Sequence, residues 1–277
     1  MHQRIEGLPR ADIGVFGGSG FYAFLPDAVE VAVTTEWGAP SAPVMVAMVA
    51  GLRVAFLPRH GRHHELPAHR VDYRANIAAM DALGVRAVFA PFAAGSLQPG
   101  LRPGDFVVVD QLVDRTQGRT DTFHDHFTDG PCHVSLADPY DAELREVVLA
   151  AARAEGAPAH DGGTVVVISG PRFSTRAESR WHSRMGWDLV NMTQYPEAAL
   201  AREAGIPYAG LALVTDYDVG LEQDPGVEPV SQERVFEMFE ANLERLRSVL
   251  TRTIALLAER DATPTTPAPH PTATPAA

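Results

Sequence analysis

The sequence predicts a single α/β domain built on a mixed, largely parallel sheet with helices packed on its faces. Short runs rich in β-branched residues alternate along the chain with stretches that carry apolar residues three and four positions apart, and this alternation is typical of α/β sheets. The 277 residues are 45% apolar and 21% charged, which is enough apolar material for a core. Because the first 260 residues contain no linker-like stretch and no internal repeat, we expect one domain over residues 1–260.

Eight apolar runs are predicted as strands because each is short and rich in β-branched or aromatic residues. Two of them, Val44–Val49 and Val54–Leu57, are joined near Gly51, so we expect them to form an antiparallel hairpin. In chain order the predicted strands are Ile13–Phe16, Val44–Val49, Val54–Leu57, Val85–Phe89, Phe106–Val109, Val165–Ile168, Asp188–Asn191 and Tyr208–Val214.

The helices are predicted from apolar residues at helical spacing. Ser231–Glu259 is the longest of these stretches and predicts an amphipathic C-terminal helix. Residues 261–277 combine several prolines with alanine and threonine, a composition that neither builds a helix nor buries apolar area, so we expect a disordered tail there. The other predicted helices are Val71–Leu83, Ala142–Ala154, Arg176–Met185 and Pro196–Ala204.

Charge and composition exclude several classes of function. A net charge of −12 is unsuited to neutralising a run of phosphates, so no nucleic-acid partner is expected, although one local phosphate can still be bound. The single cysteine, Cys132, excludes a disulfide framework and a cysteine-based zinc site and favours a reducing compartment. Met1–Asp12 lacks the apolar core of a signal peptide, and Val85–Leu97 is too short to span a bilayer. We therefore expect a cytoplasmic protein with no membrane partner.

The first candidate site residues follow the first predicted strand, since ligands of such sheets bind beyond the carboxyl ends of the strands. The glycines of Gly17–Gly20 permit a tight turn and a close backbone approach, and the Ser19 hydroxyl beside exposed amides suits an anion. The motif matches neither a dinucleotide fingerprint nor a P-loop. A purely structural turn is the alternative.

A basic segment, Arg59–His64, comes directly after the third predicted strand. The guanidinium of Arg59 and the imidazole of His60 suit a phosphate oxyanion. Metal binding by the histidines is less favoured, because His63 and His64 point apart on extended backbone and no acidic ligand cluster accompanies them. A solvated basic loop is the remaining alternative.

Two further segments follow later strands. In Ser169–Ser174, the Phe173 ring can stack on a base or a sugar, and Ser174 can shape the wall, although a core position is the alternative for Phe173. Thr193 lies near a predicted helix start, where its hydroxyl can contact an anion.

The last predicted strand ends in two carboxylates, Asp216 and Asp218. One residue apart on extended backbone, they would point to the same face, the geometry for gripping adjacent nitrogens of one ligand. Calcium binding or helix capping is the alternative reading of the pair.

Six motifs occur in an order and spacing that carry a family resemblance: IGVFGGSGF, PRHGRHH, GSL at Gly95–Leu97, SGPRFSTRAES, VNMTQYPEAALAREAG and VTDYD. Over residues 11–258 the chain resembles the 5′-methylthioadenosine phosphorylases, in the trimeric branch of the purine nucleoside phosphorylase superfamily. The resemblance implies a single-domain nucleoside phosphorylase-type fold. It also implies a reaction in which phosphate attacks the anomeric carbon of a nucleoside as the purine leaves. Orthophosphate is then a co-substrate, and no metal or organic cofactor takes part.

The resemblance also implies roles for individual residues. Asp216 would protonate or hydrogen-bond the purine N7, and Asp218 would accept from the 6-amino group. Such a proton donor suits a transition state with a departing anionic purine, provided that burial keeps the carboxyl neutral. Two carboxylates favour adenine over 6-oxopurines. The phosphate is expected at Ser19, Arg59, His60, Thr193 and the backbone of Ala93, the ribose at Met192, and the base at Phe173, Ser174, Asp216 and Asp218.

The 5′-group and the assembly are further implications of the resemblance. Gln232, Val235 and Phe236 match the stretch that faces the 5′-substituent, with Gln232 where the family tends to place valine. His133 matches a histidine that reaches a neighbouring subunit's site, so a homotrimer or a dimer of trimers is expected. Phe92 stands where the family usually has Thr or Asn, which removes a hydroxyl from the phosphate site.

Three alternatives to methylthioadenosine phosphorolysis remain open from the sequence. A 6-oxopurine or methylthioinosine phosphorylase would differ in its base. A hydrolytic nucleosidase would use water and have little need of an Arg–His phosphate site. A nucleoside sensor would need no leaving-group acid.

Overall fold

One mixed sheet of eleven strands dominates the computed structural model, which describes residues 7–127, 130–219 and 228–262. The strands are β1 (Ile13–Gly17), β2 (Val29–Val31), β3 (Val44–Val49), β4 (Leu52–Pro58), β5 (Ala87–Ser96), β6 (Phe106–Val108), β7 (Gln111–Arg115), β8 (Ala159–Asp161), β9 (Thr164–Ile168), β10 (Leu189–Asn191) and β11 (Tyr208–Asp216). The helices are α1 (Tyr73–Ala82), α2 (Ala142–Ala154), α3 (Arg176–Arg184), α4 (Gln194–Glu203) and α5 (Gln232–Ala262), with a 3₁₀ turn at Ala68–Arg70.

The sheet branches at β5. One path runs β2-β3-β4-β1-β5-β10-β9-β7, and a second leaves β5 through β11 and β6 to β8. Parallel pairs are β1–β4, β1–β5, β5–β11, β6–β8, β7–β9 and β9–β10, whereas β2–β3, β3–β4, β5–β10 and β6–β11 are antiparallel. The predicted mixed, largely parallel sheet and the β3–β4 hairpin are both confirmed.

Apolar residues on both faces of β5 bury it between two layers of helices. Val88 and Phe92 belong to the core on one side, which also contains Ile77 of α1 and Leu200 of α4. Phe89 belongs to the other side, with residues of α2 and α5. The alternation of side chains along a strand explains how one strand supplies both cores.

Three strands were not predicted, and one strand is much longer than predicted. β2, β7 and β8 were not predicted because they are short or partly exposed and lack a continuous apolar run. β5 extends seven residues beyond Phe89 through Pro91 and Gly95, residue types depleted in strands, because β11 pairs alongside it.

The C-terminal helix also ends later than predicted. α5 continues through Ala262, so the expected boundary between residues 260 and 261 falls inside its last turn, where Asp261 forms an ion pair with Arg86. Residues 263–277, most of the expected tail, lie outside the described residues. Across the described ranges, no helix is both long and apolar enough to cross a membrane.

Candidate active site

A cavity of about 310 Å³ opens at the carboxyl ends of the central strands and is bordered by the first turn of α5. This is the edge at which α/β sheets bind ligands. Most of the residues predicted for the site lie on its wall: Ser19, Arg59, His60, Ala93, Phe173, Met192, Thr193, Asp216, Asp218, Gln232, Val235 and Phe236.

Two predicted residues lie elsewhere. Ser174 is buried beside Asp218, behind the cavity wall. His133 is exposed, and its ring contacts that of Phe127 at 5.5 Å between centroids. It does not line the cavity of its own chain, whereas its expected role is in the site of a neighbouring subunit.

The turn after β1 requires glycines, because a side chain there would collide with neighbouring atoms. A Cβ on Gly17 would lie 2.1 Å from the carbonyl oxygen of Phe21, and one on Gly18 would lie 3.1 Å from Nη1 of Arg59. The backbone therefore passes directly beside the guanidinium. This approach brings Ser19 to the cavity wall.

Arg59 is fully buried and held by a carboxylate that the sequence interpretation did not include. Its Nε and Nη2 donate to Glu197 at 2.8 and 2.7 Å, and its Nη1 donates to the carbonyl oxygen of Pro91 at 3.1 Å. The Tyr208 hydroxyl donates to the same carboxylate at 2.7 Å. These bonds use three of the five N–H hydrogens of the guanidinium, and among the described residues no acceptor takes the other two, which suit an anion.

His60 is a neutral imidazole with a defined tautomer. Its Nδ1 lies 2.8 Å from the carbonyl oxygen of Leu66, which can only accept, so Nδ1 carries the hydrogen and Nε2 a lone pair. Burial lowers the pKa of His60 to about 3. Its ring stacks on that of His64 at 4.4 Å, and His64, which is also on the cavity wall, is hydrogen-bonded through Nδ1 to the Tyr22 hydroxyl at 2.7 Å.

Asn191 connects two strand ends of the candidate phosphate site. Its Nδ2 donates to the carbonyl oxygen of Ala93 at 2.9 Å, and its Oδ1 accepts from the backbone N–H groups of Thr193 and Gln194 at 2.6 and 2.9 Å. This side chain therefore fixes Thr193 relative to β5. An asparagine just before a helix start is the sequence signal that could have identified it.

Asp216 and Asp218 meet through a turn and not on extended backbone, so the assumed backbone geometry was wrong. β11 ends at Asp216, and Asp218 has a φ of 48° and donates its N–H to Oδ1 of Asp216 at 2.7 Å. Burial raises the pKa of Asp216 to about 6 and also raises that of Asp218. Among the described residues, Oδ2 of Asp218 is buried without a hydrogen-bond partner. The hydroxyls of Ser179 and Ser174 lie near the same carboxyl and counteract part of the rise in its pKa.

The other cavity walls are apolar or amphipathic. Phe173 is 38% exposed, so the alternative of a core position is wrong. Val235 and Phe236 project from the first turn of α5, where Phe236 also contacts the His64 ring. Gln232 is exposed yet lies on the cavity wall.

Arg119 joins the loops that carry Phe173 and Met192, and the sequence interpretation missed it. Its Nη2 donates to the carbonyl oxygens of Met192 and Ser169 at 2.8 and 3.0 Å, and its Nη1 donates to that of Tyr195. These bonds hold the ends of β9 and β10 together. Within the described part of the chain, no three His, Cys, Asp or Glu side chains converge as a metal site.

Comparison with known proteins identifies the family. Residues 12–255 match the family model of the Phosphorylase superfamily. The chain is 55% identical to an S-methyl-5′-thioadenosine phosphorylase of Mycolicibacterium smegmatis, over 86% of this chain and 88% of that protein. It is 52% identical to a purine nucleoside phosphorylase of Streptomyces coelicolor, over 91% and 92% of the two chains.

Solved structures give the same result. A methylthioadenosine phosphorylase of Schistosoma mansoni in complex with adenine superposes with a TM-score of 0.85 at 38% identity, covering 90% of this chain and 93% of that one. The predicted nucleoside phosphorylase-type fold is thereby confirmed. The chain therefore belongs to the 5′-methylthioadenosine phosphorylase family of the Phosphorylase superfamily, and is a pentosyltransferase.

Proposed function

We propose that the protein catalyses phosphorolysis of 5′-methylthioadenosine to adenine and 5-methylthioribose-1-phosphate. The observation that carries this proposal is that one cavity holds both a donor cluster suited to phosphate and a pair of carboxyls with raised pKa values suited to a purine. Phosphate is the co-substrate in this family, and the proposed reaction uses no metal or organic cofactor.

The phosphate is held by Arg59, His60, Ser19, Thr193 and the backbone of Ala93. Glu197 fixes the plane of the Arg59 guanidinium before phosphate arrives, so little reorganisation is needed on binding. The Nε2 lone pair of His60 accepts a hydrogen from a protonated phosphate oxygen. Phe92, on the same cavity wall, offers phosphate only an apolar surface.

The leaving purine takes a proton or a hydrogen bond at N7 from Asp216. A carboxyl with a raised pKa can donate at neutral pH, and donation stabilises the negative charge that develops on the base. Asp218, on the same cavity wall, accepts from the 6-amino group, which favours adenine over 6-oxopurines.

The remaining contacts surround the sugar and the 5′-group. Met192 lies against the ribose, Phe173 borders the base, and Gln232, Val235 and Phe236 face the 5′-substituent. Ser174, behind the wall, acts on the base only through Asp218. His133 from a neighbouring subunit completes the site in a homotrimer or a dimer of trimers. We place the protein in purine salvage in the cytoplasm, without a nucleic-acid or membrane partner, as the charge of −12 and the single cysteine support.

The test is a cleavage assay with 5′-methylthioadenosine, adenosine, inosine and methylthioinosine, with and without orthophosphate. Phosphate-dependent release of adenine, fastest from methylthioadenosine, is the expected result. Cleavage that persists in phosphate-free buffer would identify a nucleosidase instead. Faster cleavage of either 6-oxopurine nucleoside would overturn the proposed base preference.

A further inference from the structure

Thr215 is a buried cavity residue to which the proposed reaction assigns no role. It precedes Asp216 at the end of β11, is 4% exposed and lies on the cavity wall. Its Oγ1 is 2.7 Å from Oδ2 of Asp216 and 3.3 Å from the carbonyl oxygen of Ala94 on β5. The hydroxyl thus has two acceptors within reach.

A threonine hydroxyl has a single hydrogen, so it cannot donate to both acceptors at once. When Asp216 is ionised, the hydroxyl donates to Oδ2. When Oδ2 carries a proton, that proton is donated to Oγ1, and the hydroxyl turns its own hydrogen to the Ala94 carbonyl. The backbone N–H of Asp218 donates to Oδ1 of Asp216 in either state. Both protonation states of the carboxyl therefore keep their hydrogen bonds in a buried position, where an unmet bond is costly.

The charged groups around Asp216 lie on the turn that follows it, on α3, and on α5 with the residues just before it. Asp218 faces it across the turn, and the charge of Glu178 on α3 acts on Asp218. From α5, Arg234 and Glu237 line a second cavity that reaches Asp216, together with Glu228, the ion-pair partner of Arg234. β5 contributes backbone and the close approach of Gly95, where a Cβ would lie 2.9 Å from Oδ1 of Asp216. A conservative change at Thr215 alters none of these charges.

We propose that Thr215 is a positioning residue that follows the proton of Asp216, holding the carboxyl proton before transfer and donating to the carboxylate once the proton has moved to the purine. The inference rests on the proposed function only for its catalytic consequence. In that step the carboxyl hydrogen turns from Oγ1 of Thr215 toward N7, the O–H bond breaks and leaves its electron pair on Oδ2, and the N7 lone pair forms the N–H bond. The Thr215 hydrogen then rotates from the Ala94 carbonyl to Oδ2. No other reactant is required.

The test compares the full-length parent with Thr215→Val, which keeps the shape of the side chain without the hydroxyl, and Thr215→Ser, which keeps the hydroxyl. Titration of aspartate carboxyl carbons labelled with ¹³C, assigned with Asp216→Asn, reports the pKa of Asp216 without any turnover. The hydroxyl favours the ionised carboxylate, so its loss in Thr215→Val should raise this pKa by about one unit. Thr215→Ser should titrate like the parent. An unmoved pKa in Thr215→Val, or an equal shift in Thr215→Ser, would overturn the inference.

The kinetic readout is the pH profile of kcat for methylthioadenosine at saturating phosphate. Proton donation requires protonated Asp216, so activity is lost as the pH rises through its pKa, and a raised pKa moves this loss to higher pH. Thr215→Val should also lower kcat on the acidic plateau by about tenfold, because the carboxylate formed lacks its donor. A parent without phosphate-dependent cleavage would refute the proposed function, whereas an active parent whose profile Thr215→Val leaves unmoved would refute only the role of Thr215.

Discussion

Arg59 and Asp216, both on the cavity wall, have ionisable groups in opposite electrostatic surroundings. Arg59 has a bidentate carboxylate partner in Glu197, so the pair is neutral as a unit and the guanidinium stays charged. Asp216 instead faces a second carboxyl, Asp218, and burial raises its pKa to about 6. In the proposed reaction, this difference suits Arg59 to bind an anion and Asp216 to give up a proton.

The role of Asp216 predicts a large effect of Asp216→Asn. The amide cannot supply a carboxyl proton, so kcat for methylthioadenosine should fall by about 10²- to 10⁴-fold, the usual scale of general acid catalysis. Steady-state kinetics measure this, with thermal unfolding as the control for folding. Turnover equal to that of the parent would remove Asp216 from the mechanism.

The proposed role of Arg59 predicts that its substitution weakens phosphate binding. This effect on KM can be distinguished from the effect on protein stability with a double variant. Arg59→Ala should raise KM for phosphate about 10- to 100-fold, since it deletes charge-assisted donors. It should also destabilise the fold, because it leaves the Glu197 carboxylate buried without its partner. The double variant Arg59→Met, Glu197→Gln should recover the unfolding temperature but not the KM. A normal KM in either variant would contradict the assignment.

Gln232 predicts a broader tolerance at the 5′-position. Gln232 is exposed, so a 5′-group that covers its amide must supply a partner or cost about 1–3 kcal/mol of lost solvation, which favours a polar 5′-hydroxyl over a methylthio group. Gln232→Val should therefore increase the ratio of kcat/KM for methylthioadenosine to that for adenosine. Glu233→Val, one residue away and off the cavity wall, is the matched control. An unmoved ratio in Gln232→Val would show that Gln232 does not read the 5′-group.

At the level of elements, α5 has two separate roles. Its first turn forms part of the cavity wall, and its later turns pack Leu250, Ile254 and Leu257 into the core shared with α2. Long helices of this kind derive most of their stability from such packing. The catalytic domain should therefore require α5 to its last buried residues and nothing beyond Ala262.

Two truncations test this boundary. Removal of residues 263–277 should leave the unfolding temperature unchanged, because their composition offers little apolar area to bury. Ending the chain after Val249 removes three buried apolar side chains and should lower the unfolding temperature by roughly 10 °C or more. Equal destabilisation by both truncations would place the domain boundary beyond Ala262.

At the scale of the whole molecule, exposed apolar side chains around His133 support the prediction that this residue contributes to the site of another copy of the chain. Phe127 and Val134 are 48% and 41% exposed beside it, so this segment presents apolar side chains to solvent in the single chain. An interface between subunits would cover them.

Mixing two defective variants tests that prediction. His133→Ala and Asp216→Asn should each be impaired as homo-oligomers. A co-assembled hybrid, purified through two different tags, should contain sites with an intact Asp216 and an intact partner His133. The activity of this hybrid should exceed the sum of the activities of the two variant homo-oligomers. Hybrid activity equal to the average of the two variant homo-oligomers would contradict a shared site. Light scattering of the same samples gives the number of subunits.

The sequence alone was sufficient for the features that depend on local pattern. Alternating strand and helix periodicities determine the α/β class, and polar residues just after apolar runs, such as Arg59, Thr193 and Asp216, lie on the cavity wall because strand ends meet at one edge of the sheet. Family motifs then identified the chemistry. These inferences succeed because the direction of a strand and the identity of the residues that follow it can both be read from the local sequence.

Only the tertiary structure decided which residues, distant in sequence, form hydrogen bonds with the predicted site residues. Glu197 reaches Arg59 across 138 residues of sequence, and Asn191 reaches Ala93 across 98. The continuation of β5 through Pro91 depends on pairing with β11, and the approach of Asp218 to Asp216 depends on a left-handed turn. Each is selected by burial and by the need to satisfy buried polar groups, and these conditions exist only once the chain has folded.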